Sequence, residues 1–230
     1  MRRALALPIV LIALYVQQAA TAHAQACVAD QQGGLVCGEG KAAMRVVADT
    51  TSPSKNYAFA WRSEQGLPSG DEIPDDVENV LVRVTDGAVL AKLGGTYWET
   101  GGTRANRYDL IAAWSPDSRS VIEVANSRWD SDSFAYYRTD SETATKLDLR
   151  ALVEPVKTAR LPPRNRQGNS FRVREDLPVT LDARGRLRFT AMLYVPKGET
   201  SNDYKVQVNV RTTGGKPSAQ VVSMRRVKSD

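Results

Sequence analysis

The stretch Ile111-Ala-Ala-Trp-Ser-Pro-Asp-Ser-Arg-Ser-Val-Ile-Glu-Val124 decides the fold of this chain. It contains two apolar runs on either side of Ser115-Pro116-Asp117-Ser118, a segment made of turn-forming residues. Pro116 presets the backbone angle that a tight turn needs. Val121 then starts a second strand, so the stretch predicts two antiparallel neighbours joined by a short turn.

The same pattern of short alternating strands and turn residues extends over the chain. In the segment Val77–Thr85, Val80 and Val82 fall on one face and Leu81 falls on the other. Asp86-Gly87 is a strong hairpin signal after that strand. Further strands are predicted at 56–62, 88–93, 109–114, 121–125, 133–139, 145–149, 178–182, 186–195, 204–212 and 219–227. The fold class predicted is therefore all-β, built from antiparallel meanders.

The strand–turn–strand unit around Trp114-Ser115-Pro116-Asp117 resembles the blade motif of TolB-type and WD40-like β-propellers. The four strands from Asp109 to Leu149 fit one such blade, and Asn56–Leu93 and Leu177–Val227 resemble two degraded ones. Ser118 stands where the family usually has Gly. The resemblance implies propeller-like blades, while the hairpins alone fit a β-sandwich as well. Because unrelated functions share this architecture, the resemblance implies no specific activity.

Composition shifts divide the chain into five predicted segments. We expect an N-terminal arm that carries the two cysteines, a β-rich blade-like lobe, a basic proline-containing linker and a C-terminal β-meander, all after a signal peptide. In order, these are 1–24 (signal peptide), 25–55 (arm), 56–150 (lobe), 151–176 (linker) and 177–230 (meander). The stretch Lys157–Arg174 holds six basic residues and no acidic one, which favours contact with anionic polymers or headgroups, or a solvated loop.

Residues 1–24 have the pattern of a secretory signal peptide. Arg2-Arg3 precede an apolar run from Ala4 to Val16, and Ala22-His23-Ala24 form an A-x-A cleavage site. The apolar run is too short to span a bilayer. The sequence therefore predicts an exported bacterial protein, periplasmic or secreted, with no transmembrane span. Cleavage would leave 29 basic and 26 acidic residues, and would remove the only histidine.

The two cysteines follow the predicted cleavage site closely. Cys27 and Cys37 flank a spacer that contains Gly33-Gly34, and an even number of cysteines in an oxidising compartment predicts a disulfide. An alternative is that Cys27 is the lipidated cysteine of a lipoprotein. Two cysteines without histidine do not indicate a metal site.

Aromatic residues suggest a binding surface. Eleven of the fifteen that follow the predicted signal peptide lie between Tyr57 and Tyr137, where they could equally form a β-sheet core. The candidate binding residues are Tyr97, Trp98 and Trp129, which lie beside glycine or aspartate in loop-like segments. Asp130 and Asp132 join them, as two carboxylates in the turn after Arg128.

These sequence patterns are compatible with three classes of function. The sequence favours a non-enzymatic β-protein that binds an envelope protein or glycan, with no cofactor, no metal site, no assigned catalytic residue and no nucleic-acid partner. One alternative is a glycan hydrolase that uses carboxylates among Glu99, Glu123, Asp130 and Asp132. Another is a structural or assembly factor of the envelope. A carboxylate pair in a cleft lined by Trp98 or Trp129 would favour the hydrolase.

Overall fold

The computed structural model describes residues 25–31, 33–68, 73–100, 103–139, 142–160, 169–195 and 200–227. These residues form mainly antiparallel strands and a single α-helix, so the all-β prediction is confirmed. The predicted signal peptide lies outside the described residues. No helix in the described part of the chain is long and apolar enough to cross a membrane.

Sheet 1 is a six-stranded meander in which each strand pairs with the next along the chain. Its strands are β1 (Val28–Ala29), β2 (Leu35–Cys37), β3 (Met44–Val46), β4 (Tyr57–Arg62), β5 (Glu78–Arg83) and β6 (Ala88–Lys92). A 3-10 turn over Gly40–Ala42 precedes β3. The predicted alternation in β5 is confirmed, because Val80 and Val82 face one cluster and Leu81 faces another.

Sheet 2 is the four-stranded meander that contains the quoted motif. After the small hairpin β7 (Glu99–Thr100) and β8 (Thr103–Arg104), it is built from β9 (Asp109–Trp114), β10 (Ser120–Asn126), β11 (Ser131–Arg138) and β12 (Thr145–Asp148). Ser118, in the turn between β9 and β10, has a φ of 60°. Glycine adopts this left-handed conformation most readily. This explains why the blade motif that the segment resembles usually has glycine at the position of Ser118.

Sheet 3 follows the helix α1 (Leu149–Arg160). Its strands are β13 (Ser170–Val173), β14 (Thr180–Leu181), β15 (Arg186–Val195), β16 (Thr200–Thr213) and β17 (Lys216–Arg226). Both β13 and β14 pair with β15, which continues through β16 to β17. The strand β15 has the bounds that the sequence predicted, and β16 is longer at its start than predicted.

The three sheets form a stack with sheet 2 in the middle. In β10, Val121 and Ala125 pack towards sheet 1, whereas Ile122 and Val124 pack towards sheet 3. Every residue of β10 is buried. A strand covered on both faces reads as a continuous apolar run, and this explains why β10 lacks the alternation of a surface strand.

The segment 151–176, predicted as a linker, instead contributes α1 and β13 to the core. Leu149, Leu152, Val153 and Val156 recur at helical spacing and pack against the cluster between sheets 2 and 3. Pro155 is accommodated inside the helix. Residues 161–168 of this basic segment lie outside the described part of the chain.

The segment 25–55, predicted as a separate arm, forms part of sheet 1. The predicted disulfide between Cys27 and Cys37 is present. The backbone N–H of Cys27 donates to the carbonyl of Val84 (2.9 Å), which brings the start of the segment to the end of β5. At this contact a Cβ on Gly87 would clash with the carbonyl oxygen of Gln25, so glycine is required there.

Candidate functional site

The outer face of sheet 3 is polar and basic. Along β15 and β16 the residues alternate between the core and this face, with Phe189 and Val206 inside and Arg188 and Lys205 outside. Arg225 of β17 also lies exposed on the outer face, next to the buried Met224. Three cations from three neighbouring strands are therefore presented together.

Strand register places these cations in adjacent rows. Lys205 is directly opposite Arg225 on one side and Thr190 on the other. In the next row, Gln207 separates Arg188 from Ser223. Directly opposite residues in a sheet have Cβ atoms about 5 Å apart, and diagonal neighbours about 7 Å. The three charges thus fall within the reach of one anionic ligand.

We call this surface the basic groove. It is a shallow cleft of about 370 Å³, to which Pro178 and the backbone of Phe189 and Val206 also contribute. Its polar members are Arg188, Thr190, Lys205, Gln207, Ser223 and Arg225.

The cations of the basic groove have no carboxylate partner among the described residues. The nearest acidic residue along β16 is Asp203, which is already paired with Arg174 (2.6 Å). Like charges directly opposite each other destabilise a sheet, so the pair of Lys205 and Arg225 carries a cost that an anion would relieve.

Of the three predicted aromatic binding residues, Trp129 is the one that the structure leaves accessible. Its side chain is 50% exposed, and its ring stacks on Tyr194 of β15 with centroids 5.5 Å apart. The guanidinium of Arg128 lies 4.6 Å from the centre of the same ring. The turn that carries Trp129 runs beside the edge of β13, because Asp130 accepts a hydrogen bond from the N–H of Phe171 (3.0 Å). Trp129 thereby reaches from sheet 2 to a residue of sheet 3.

Asp130 and Asp132 have different surroundings although they share a turn. Besides its bond to Phe171, Asp130 accepts a hydrogen bond from Arg150 (2.6 Å). Its two oxygens therefore join sheet 2 to the edge of sheet 3 and to α1. Asp132 is exposed and accepts a hydrogen bond from the hydroxyl of Ser127 (2.8 Å). The geometry makes Asp130 a bridging residue between sheets.

Tyr97 and Trp98 are buried between sheets 1 and 2, at 5% and 7% exposure, and present no surface platform. Asn79 holds this loop: its side-chain amide donates to the carbonyl of Tyr97 (2.6 Å) and accepts from the N–H of Tyr97 (2.9 Å). The Tyr97 hydroxyl donates to Glu99 (2.7 Å), and burial raises the pKa of this tyrosine.

Glu99 lies at a cleft of about 570 Å³ beside sheet 1. Arg45 and Arg104 also line this cleft, and neither Trp98 nor Trp129 is among its lining residues. One oxygen of Glu99 accepts the backbone N–H of Ala48, so the carboxylate is held by the chain around it. Asp49 lines the cleft as well, but both oxygens of Glu99 accept hydrogen bonds from the chain around it, and none of the other three candidate carboxylates lies in this cleft.

Glu123 is the fourth predicted carboxylate, and it is fully buried between sheets 1 and 2. It accepts hydrogen bonds from the N–H of Gly94 (2.6 Å) and the hydroxyl of Tyr137 (2.9 Å). Burial raises the pKa of Glu123, and burial together with the neighbouring Glu123 raises the pKa of Tyr137. A Cβ on Gly94 would clash with the Cβ of Ser133, so this backbone approach depends on glycine.

The four predicted carboxylates do not converge. Among the described residues, the carboxylates of Glu99, Glu123 and Asp130 have different hydrogen-bonding partners. Asp130 and Asp132 share a turn, in which the hydroxyl of Ser127 donates to the backbone carbonyl of Asp130 and to the carboxylate of Asp132. Among the described residues, no group of three or more His, Cys, Asp or Glu side chains is placed to hold a metal ion.

The basic groove was missed by the sequence analysis, which located the basic character of the C-terminal half in 157–174. Its members are distant in sequence and meet only through the register of sheet 3. The sequence feature that could have indicated the groove is the alternation of cations with apolar residues in the predicted strands.

No protein-family model matches the chain, and no curated protein is found to be similar to it.

Proposed function

We propose that this protein is exported and binds an anionic component of the cell envelope through the outer face of sheet 3. The observation that carries the proposal is a set of three cations, Arg188, Lys205 and Arg225, which lie in adjacent rows of one sheet and make no ion pair with the described residues. Each cation is exposed. Contacts of this kind gain affinity from displacing counterions, as in the binding of other polyanions.

Export is part of the proposal. The signal-peptide pattern of residues 1–24 supports it, and so does the disulfide between Cys27 and Cys37, since disulfides persist in oxidising compartments. In such a compartment the anionic partners are envelope polymers and headgroups, and nucleic acid is not expected there.

A binding role accounts for the surface better than a hydrolytic one. The four candidate carboxylates are separately engaged, whereas the cations of the basic groove are free of ion pairs with described residues. A face that carries hydroxyl, amide and cationic side chains offers hydrogen bonds and charge to a ligand. The proposal is accordingly that the protein acts as a binding module.

The proposal is tested by titrating the purified chain with two anionic polymers, polygalacturonate and inorganic polyphosphate. The triple variant Arg188→Gln/Lys205→Gln/Arg225→Gln is expected to bind at least one of them about tenfold more weakly or worse. For the unchanged protein, the logarithm of the association constant should fall linearly with the logarithm of salt concentration. Titration by calorimetry at two salt concentrations measures both effects.

The matched control removes the same charge elsewhere. Lys41, Arg107 and Arg119 are exposed and lie on or beside sheets 1 and 2, so Lys41→Gln/Arg107→Gln/Arg119→Gln has the same net charge as the groove variant. It should keep nearly all of the affinity. Equal weakening by both triple variants would mean that net charge alone attracts the polymer, and would contradict a defined site.

A further inference from the structure

The basic groove and the exposed aromatic pair share one face of one strand. Arg188, Thr190, Met192 and Tyr194 alternate with core residues along β15, so all four belong to the outer face of sheet 3. Tyr194 lies six positions after Arg188, a span of about 20 Å at the usual rise of a strand. A ligand that follows β15 would meet cations at one end and stacked rings at the other.

The side chains between the cations suit a hydroxyl-rich ligand. Gln207 and Ser223 line the basic groove with partly exposed amide and hydroxyl groups, and no described hydrogen bond occupies their side chains. Thr190 also lines the groove but is only 9% exposed. Of the apolar residues that line the groove, Phe189 and Val206 are buried and Pro178 is exposed. Its chemistry is therefore that of charge combined with hydroxyl recognition.

The aromatic end adds a surface of a different kind. Trp129 is half exposed and rests on Tyr194, which fixes the orientation of its ring. Sugar rings have apolar C–H faces that pack against aromatic side chains. The guanidinium of Arg128 lies over the same ring and adds a cation to this end. Phosphate chains have no such face to offer.

We infer that the anionic component is an acidic polysaccharide whose chain runs along β15 from the basic groove to the Trp129–Tyr194 pair. This inference rests on the proposed function and narrows it to one ligand class. Uronate carboxylates would bind Arg188, Lys205 and Arg225, while a sugar unit further along the chain would pack against the aromatic pair.

The experiment compares four probes on the same full chain: oligogalacturonate, neutral dextran, inorganic polyphosphate and vesicles of an anionic phospholipid. Tryptophan fluorescence is an informative signal, because Trp61 and Trp98 are buried and Trp129 is half exposed. Oligogalacturonate should bind most tightly and change the fluorescence. Trp129→Ala should weaken oligogalacturonate binding about tenfold, as loss of a central aromatic contact does, and should leave polyphosphate binding unchanged.

Controls separate the loss of a contact from a disturbed fold. Tyr108→Ala removes a half-exposed aromatic that precedes β9, so it should retain full affinity. Trp129→Phe keeps a ring on Tyr194 and should retain most of the affinity. Thermal unfolding of each variant reports whether the sheets remain intact.

The outcomes distinguish the inference from the proposed function. If polyphosphate or vesicles bind as tightly as oligogalacturonate, and Trp129→Ala alters none of them, the sugar-specific inference is overturned while anionic binding stands. If no anionic probe binds, both are overturned. If oligogalacturonate alone is weakened by Trp129→Ala, the inference is supported.

Discussion

Sheets 1 and 3 lie at the two ends of one stack, yet their outward faces have opposite character. In sheet 1, Ala58, Ala60, Val80 and Val82 on that face are fully buried. The N-terminal segment completes their cluster through Cys37 and the partly buried Cys27. In sheet 3, the outward positions of β15 and β16 include exposed arginine and lysine. One end of the stack is closed by the chain itself, and the other is open.

The difference shows how the pattern of apolar and polar residues in a strand determines whether its faces are buried or left open to partners. Strands with apolar residues on both faces must be covered on both faces, because exposed apolar area is costly. β4 and β5 are strands of this type, and the disulfide-bonded Cys27 and Cys37 pack in the cluster on their second face. Strands that alternate cleanly leave one face to solvent and to partners. We therefore expect damage at sheet 1 to lower stability, and damage at the outer face of sheet 3 to lower binding.

The largest expected effect comes from Gly94→Ala, at the contact between sheets 1 and 2. The added Cβ would clash with the Cβ of Ser133 and would push the Gly94 N–H away from buried Glu123. Overpacking and an unsatisfied buried carboxylate together should lower the free energy of unfolding by about 3 kcal/mol or more. Urea denaturation measures this loss.

Two further variants isolate the cause of that loss. Gly214 lies in open space at a φ of 56°, so Gly214→Ala introduces backbone strain without a clash and should cost about 1 kcal/mol. Adding Ser133→Gly to Gly94→Ala removes the clashing atom and should recover part of the stability. If Gly94→Ala were no worse than Gly214→Ala, the close approach of this loop to β11 would be contradicted.

The next effect comes from the disulfide that closes sheet 1. Replacing Cys27 and Cys37 by alanine releases a loop with a sequence separation of 10 residues, and chain-entropy arguments give a loss of about 2–3 kcal/mol. Reduction of the unchanged protein should produce a similar drop. Binding to anionic polymers should persist under conditions where the reduced protein stays folded, because the basic groove is on the other outer sheet. Loss of binding by the folded double variant would show that the two ends are not independent.

Local pattern was enough to predict β4, β5 and β6 of sheet 1 and β14 to β17 of sheet 3, but not β1, β2, β3 or β13. The bounds of β9 and β15 were predicted as they stand, because turn residues and alternation mark them. The disulfide was predictable as well, from the number and spacing of the cysteines.

Packing between sheets was not predictable in the same way. Tyr97 and Trp98 looked like surface residues because their segment is a loop, yet the stacking of sheets 1 and 2 buries it. Asp130 looked like a ligand because its neighbours are polar, yet its oxygens are used by Arg150 and Phe171. The basic groove depends on register across β15, β16 and β17, which no single segment encodes.

The smallest expected effect has the opposite sign and concerns the open end. Lys205 faces Arg225 directly, and relief of this repulsion in Lys205→Gln should raise the free energy of unfolding by about 0.3 kcal/mol at low salt. The gain should disappear at high salt, where exposed charges are screened. Arg211→Gln is the matched control, because Arg211 lies on the same strand and face but opposite Ser218. The same Lys205→Gln variant should bind anionic polymer more weakly, so stability and binding would change in opposite directions. A sheet face optimised only for stability would not place two cations directly opposite each other. A Lys205→Gln variant that lost both stability and affinity would contradict the view that this pair is retained for binding.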